Sequence, residues 1–303
     1  MIYPDLMELI QLIDIITAIL PIFILLLIIV VVLAFGFIFF ILYEVHRLPD
    51  NTPTKHLSRK EKGGLLNRNI VICVGDSITH GQISQNYVKM LKDKLGENYE
   101  FINAGLNSHL AWNVLERLDE IIKCKPTIVT ILIGTNDVNA KLTKKNEKDY
   151  IKRMKLPQEP DHKWFCITIQ KIIKRLKKET NAQIAVLTLP TIGEDLEVSF
   201  FDKTTQYSQS IIEIAQKLGV KSLPLHATMV NHLENDPSKP TFPYEKGHIY
   251  LLSSVIQHYF LRRSWDTIAT NAGFKLHRDY LHMNTKGAMM IADLIEGYIN
   301  SLN

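Results

Sequence analysis

Lysine and arginine are missing from residues 1–43 of this 303-residue chain, which carries 35 of them in all. From Ile15 to Tyr43 acidic residues are missing as well, and only Thr17, Pro21 and Gly36 interrupt the apolar character. About 20 apolar residues cross a bilayer core, so this run spans one with tilt to spare. The lack of a basic leader and the length of the run disfavour a cleaved signal peptide. A buried core helix rarely goes so many turns without a polar face. One transmembrane helix at about 15–43, with Pro21 near its start, is the expectation.

Cysteine is scarce too. Cys73, Cys124 and Cys166 are odd in number, widely spaced and form no C-x-x-C pair, which excludes a disulfide framework and a zinc knuckle. Free thiols fit a reducing compartment. With 46% hydrophobic and 22% charged residues, the chain is neither collagenous nor disordered. No zinc, calcium or phosphate-loop pattern occurs, so neither a metal nor another cofactor is expected. The net charge of +4 comes without aromatic interleaving or a reading helix, which argues against nucleic acid.

Charge is distributed unevenly about the apolar run. Asp5, Glu8 and Asp14 precede it; Arg47, Lys55, Arg59, Lys60 and Lys62 follow it. Basic flanks stay on the cytoplasmic side, so the bulk of a single-pass protein would face the cytosol. Residues 44–68, with Pro49, Asn51, Pro53, Gly63 and Gly64, read as a solvated juxtamembrane linker. Residues 69–303 are enough for one domain with a sizeable core.

Within that domain apolar runs alternate with amphipathic stretches. Strands are expected at Ile70–Val74, Tyr99–Asn103, Thr127–Ile133, Ile184–Leu189 and Val220–Leu225. Helices are expected at Tyr87–Leu95, Trp112–Ile122, Trp164–Lys178, Phe201–Leu218 and Thr285–Leu302. Strands apolar throughout and separated by helices imply an α/β protein whose mainly parallel, five-stranded sheet is covered on both faces. Chemistry in such sheets sits at the carboxyl ends of the strands.

Three strand ends carry polar motifs: Gly75-Asp76-Ser77-Ile78-Thr79-His80-Gly81, Asn103-Ala104-Gly105 and Gly134-Thr135-Asn136-Asp137. A fourth, Asp279-Tyr280-Leu281-His282, precedes the last helix. Each alone is a common turn or cap. Together, in this order, they resemble the signature blocks of the SGNH (GDSL-type) hydrolases, from Ile70 to the C-terminus and excluding the apolar run. The resemblance implies a flavodoxin-like three-layer sandwich and a serine esterase or lipase. It implies Ser77 as nucleophile, Asp279 and His282 as its partners, and Ser77, Gly105 and Asn136 around the oxyanion. A serine hydroxyl needs a base to take its proton, and a carboxylate three residues before the histidine can fix the other ring nitrogen. The serine lies in G-D-S-x-T, not in the G-x-S-x-G elbow of α/β-hydrolases. Ser108 stands where the family often has a second glycine, Met283 where it usually has proline, and Tyr280 where a small residue is common.

The expected activity is therefore cleavage of carboxylic esters (lipid, lysophospholipid or acylated sugar) by a membrane-anchored enzyme. An acyltransferase or deacylase using the same acyl-enzyme, and a catalytically silent membrane scaffold, are the rivals. The oligomeric state is not legible. His80 and His109 read as structural, and His226 and His232 as non-catalytic. Residues 141–178 hold thirteen basic against four acidic side chains, a solvated face or a surface attracted to anionic lipid. His248–Arg263 reads as an amphipathic helix packed on the core or serving as a lid.

Overall fold

A computed structural model describes residues 4–62, 69–197 and 199–302. Two units are distinct, Met1–His46 and Arg47–Asn303. The first is one helix, α1 (Pro4–His46), with Pro21 inside it. Mean hydropathy reaches 3.5 over an 18-residue window of which no residue is buried, so the helix is long and apolar enough to cross a membrane.

The second unit opens with α2 (Pro53–Glu61), followed by β1 (Asn69–Gly75), α3 (Ser77–His80), α4 (Tyr87–Leu95) and β2 (Tyr99–Gly105). Next come α5 (Ala111–Glu116), α6 (Leu118–Lys123), β3 (Ile128–Leu132), α7 (Thr135–Ala140), α8 (Lys144–Met154) and α9 (His162–Glu179). The chain ends with β4 (Gln183–Leu187), α10 (Ser199–Leu218), β5 (Lys221–Leu223), α11 (Leu225–Asn235), α12 (Gly247–Tyr259), α13 (Trp265–Asn271) and α14 (Thr285–Asn300).

The five strands pair in the order β2-β1-β3-β4-β5, all in parallel. That is the flavodoxin-like order, and its switch point falls between β1 and β3. Alternation along β1 shows why both faces must be covered. Ile72 and Val74 join a core with α5, α6, α9 and α10, whereas Val71 and Cys73 join another with α4, α11 and α14. Helix, sheet and helix make the three layers anticipated from the apolar strands.

Three local departures have physical causes. The segment expected as linker is partly built into the unit. Thr52 caps α2, Asn51 donates to the Phe101 carbonyl at 2.6 Å, and buried His56 meets Glu100 at 2.9 Å. Gly63 and Gly64 lie outside the described residues. The helix expected over 112–122 is split at Arg117, whose guanidinium turns in toward the sheet. Helix α8, at the start of the basic stretch, and α7 before it lie by a small cluster of Leu110, Ala140, Tyr150 and Leu156.

Candidate active site

Ser77 is the first residue of α3, directly after β1. Asp76 caps that helix by accepting the Ile78 N–H at 2.9 Å, which turns the chain sharply and points Ser77 out of the strand end. At this position the Ser77 N–H has no intrahelical acceptor. Burial pushes the Asp76 carboxyl up to about 7, against its contacts to Ile78 and Arg117.

The loop before α14 delivers the base. Ser77 Oγ lies 2.9 Å from His282 Nε2, across 205 residues of chain. His282 Nδ1 lies 2.9 Å from Asp279 Oδ2. The ionised carboxylate can only accept, so Nδ1 carries the hydrogen and Nε2 is left to accept from serine. Asp279 also accepts the N–H groups of Leu281 and His282, at 2.7 and 2.8 Å. Burial alone would raise its pKa, but His282 and the Arg278 guanidinium outweigh burial and hold it well below the carboxylate range. Fully buried Arg278 lies 3.3 Å from Asp279, donates to the Ile83 carbonyl and to Ser254, and stacks 4.2 Å over Trp265.

A second buried acid fixes the approach to this loop. Glu194 accepts the N–H groups of Lys275, Leu276 and His277 and faces His277 Nδ1 at 3.0 Å. Burial drives Glu194 up, yet His277 and the backbone donors prevail and leave it at about 2.

Asn136, in the first turn of α7, faces the same cavity as Ser77. Its Nδ2 donates to the His109 carbonyl at 3.0 Å and sits 3.4 Å from Asp76 Oδ2. A carbonyl only accepts, so this contact fixes which end of the amide is nitrogen. Asn136 Oδ1 must then accept, and the Tyr150 hydroxyl donates to it at 2.6 Å. Asn139 donates to Tyr150 at 3.0 Å in turn.

Gly105 is placed differently from the oxyanion role expected of it. Its N–H is taken by Asn103 Oδ1 at 2.9 Å, and it does not line the cavity. It is a glycine because a Cβ there would overlap the Thr79 and His80 backbone, where α3 crosses β2. Ser108 occupies the cavity wall instead, at φ +64°. Its N–H has no partner among the described residues. Holding that turn is Arg117, which donates to the carbonyls of Ala104 and Gly75 at 2.7 and 3.1 Å and to His109 Nδ1 at 3.2 Å. Burial and Arg117 drive the His109 pKa down to about 4, so its ring is a neutral acceptor.

The cavity measures about 560 Å³ and joins Ser77, His282, Asn136 and Ser108 to apolar Ile83, Leu251 and Leu281 and to charged Lys145 and Arg153. Tyr280, expected as a departure, forms part of the wall and packs against Phe242, Tyr244 and Phe274. His226 binds Thr205 and the Leu189 carbonyl away from the cavity. Among the described residues no His, Cys, Asp or Glu cluster could hold a metal ion. Sequence reasoning missed Ser108, Tyr150, Arg117 and Arg278 as supports; the place of Ser108, where the family often has a second glycine, was the available signal for the first.

The arrangement can remove a proton from a serine hydroxyl and offer donors to an oxyanion nearby. The profile of the GDSL-like lipase/acylhydrolase family matches residues 73–288. No curated protein matches the chain. Among solved structures, the acetyl xylan esterase AlAXEase is similar at 21% identity and TM-score 0.55, covering 76% of this chain and 99% of its own. The acetylxylan esterase Axe2 of Geobacillus stearothermophilus is similar at 17% identity and TM-score 0.52, over 75% and 92%. LAE5, an alpha/beta hydrolase from the metagenome of Lake Arreo in Spain, is similar at 17% identity and TM-score 0.53, over 78% and 96%.

Proposed function

The chain belongs to the GDSL-like lipase/acylhydrolase family, and on that premise we propose that it is a membrane-anchored serine esterase working through a Ser77 acyl-enzyme. The observation that carries this reading is the continuous contact from Ser77 Oγ through His282 to Asp279. In the first half-reaction His282 Nε2 takes the Ser77 proton as Oγ bonds to the ester carbonyl carbon. The developing oxyanion is met by the N–H groups of Ser77 and Ser108 and by the Asn136 Nδ2 hydrogen not given to His109, which exchanges its long 3.4 Å contact to Asp76 for the oxyanion, with Gly105 shaping the turn rather than donating. Collapse breaks the C–O bond, and the imidazolium returns the proton to the leaving alcohol. Water then repeats the sequence on the acyl-enzyme, deprotonated by the same nitrogen. Asp279 stays ionised and holds the ring in the required tautomer.

The substrate is a carboxylic ester of a lipid, lysophospholipid or acylated sugar. The cavity suits such a molecule because apolar Leu251 and Leu281 line it together with polar Asn146 and charged Arg153. No metal or other cofactor enters the cycle. Helix α1 serves as the single-pass anchor. The acidic residues in its first turns and the basic flank after it support a catalytic unit on the cytosolic face.

Hydrolysis of p-nitrophenyl acetate, an acetylated xylo-oligosaccharide and a lysophospholipid by the wild type and by Ser77→Ala tests the proposal. Turnover of at least one ester, lost in Ser77→Ala with the fold intact, is expected. Near-native turnover by Ser77→Ala would overturn it.

A further inference from the structure

Two walls of the cavity mouth carry side chains for which ester hydrolysis has no use. One wall is α12, whose Gly247 and Leu251 line the cavity. Its outer side presents Ile249 and Leu252, 62% and 58% exposed, and the turn after it presents Phe260 and Leu261, 59% and 52% exposed. The helix is firmly held by its other side. Val255 and Ser254 are buried, Tyr250 donates to the Ile268 carbonyl at 2.9 Å, and Tyr259 donates to the Gln82 carbonyl at 2.6 Å. An apolar ridge on a fixed helix is a surface with a use, since large apolar side chains held in water forgo the gain of burial.

The other wall is α8, which contributes Lys145, Asn146, Asp149 and Arg153. The walls meet where Asn146 donates to the Tyr244 hydroxyl at 3.0 Å, three residues before α12. Residues 141–155 hold seven basic and two acidic side chains. Both acids are already neutralised, Glu147 by Lys141 and Lys144 and Asp149 by Arg153. Lys145, Lys148 and Lys152 are exposed and without an acidic partner among the described residues. Exposed Lys246 precedes the apolar ridge, and exposed Arg262 and Arg263 follow it.

We infer that this rim docks on an anionic lipid bilayer. The α12 ridge enters the acyl boundary while the α8 lysines, Arg262 and Arg263 meet the headgroups. Apolar side chains bracketed by cations are the composition that binds such an interface. A second copy of the chain fits less well, because a two-fold contact through this rim would set like charges against each other. Docking would open the cavity mouth toward ester groups at the membrane surface. The inference rests on the membrane-anchored reading of α1, and its test does not read activity.

The full chain, with Cys166→Ser and either Leu252→Cys or Asp93→Cys carrying an environment-sensitive fluorophore, is reconstituted in phosphatidylcholine vesicles containing about one third phosphatidylserine. The remaining cysteines, Cys73 and Cys124, are buried. Brominated lipid is expected to quench the label at 252 severalfold more than the label at exposed position 93. Replacing phosphatidylserine by phosphatidylcholine should reduce that difference, as should Lys148→Glu with Lys152→Glu, by roughly fivefold in partitioning per basic charge lost. Equal quenching at 252 and 93, or quenching indifferent to lipid charge, would overturn the inference. Concentration-dependent protection of the 252 label without lipid, with doubled mass, would also overturn it and assign the rim to a second copy. Failure of the chain to float with vesicles would sink the anchor and the rim together. Flotation without selective quenching would sink the rim alone.

Discussion

Tyr150→Phe should impair the chemistry through Asn136, without removing a group that bonds to the oxyanion. The Tyr150 hydroxyl donates to Asn136 Oδ1 at 2.6 Å and accepts from Asn139 Nδ2 at 3.0 Å, and the residue is 5% exposed. Burial raises the phenol pKa, so it remains a donor throughout the working range. Phenylalanine keeps the ring and removes one atom. It leaves Asn136 Oδ1 without its donor and Asn139 Nδ2 without its acceptor. An unsatisfied buried polar group costs about 1–3 kcal/mol. For a domain of this size that lowers the melting temperature by roughly 3–10 °C. The same loss frees the Asn136 amide to leave the orientation that holds Nδ2 against the His109 carbonyl and Asp76. Misorientation by about 1.4–2.8 kcal/mol lowers kcat by roughly tenfold to a hundredfold. KM should change little, because the lost interaction belongs to the transition state. Steady-state hydrolysis of p-nitrophenyl acetate, with thermal unfolding followed by circular dichroism, measures both. Wild-type kcat in a protein with a clearly lowered melting temperature would refute the reasoning that Tyr150 sets the Asn136 donor.

Gly105→Ala should act on folding rather than on the reaction, because its Cβ would overlap the Thr79 and His80 backbone; a melting temperature within about 1 °C of wild type would contradict this. Glu194→Gln should destabilise the unit most above the ordinary carboxylate range. Glu194 sits at about 2 when folded, so its contribution is present at neutral pH and is lost as pH falls toward that value. The gap between wild-type and Glu194→Gln urea midpoints should therefore shrink on acidification, and a gap that widened would reverse the sign. Protease added to intact cells should spare a C-terminal tag if the catalytic unit is cytosolic, whereas digestion without lysis would invert the topology.

The sheet was legible because β1, β2, β3 and β4 are short apolar runs ending in glycine or polar motifs, and only a parallel sheet buries both their faces. Ser77, Asp279 and His282 could be named from motif order, and the geometry brings them within hydrogen-bond reach. The donors around them were less legible. Gly105 looked like the residue that lets a ligand approach, but the close approach it permits is that of α3. Ser108 achieves the cavity-side turn in a left-handed conformation that a sequence reader assigns to glycine. Arg117, Tyr150 and Arg278 left no periodic trace, since each acts through polar contacts between segments distant in sequence. Helix α2 was hidden for a related reason. Its composition is that of a solvated linker, and its ties to β2 run through polar side chains, Asn51, His56 and Arg59.

The central claim is that Ser77 is a nucleophile activated by His282. Reaction with a fluorophosphonate, followed by peptide mapping, tests it most directly. One adduct per chain on the Ser77 peptide is expected, with labelling lost in Ser77→Ala and strongly slowed in His282→Ala. An unlabelled but folded wild type, or an adduct on another residue that persists in Ser77→Ala, would contradict the account.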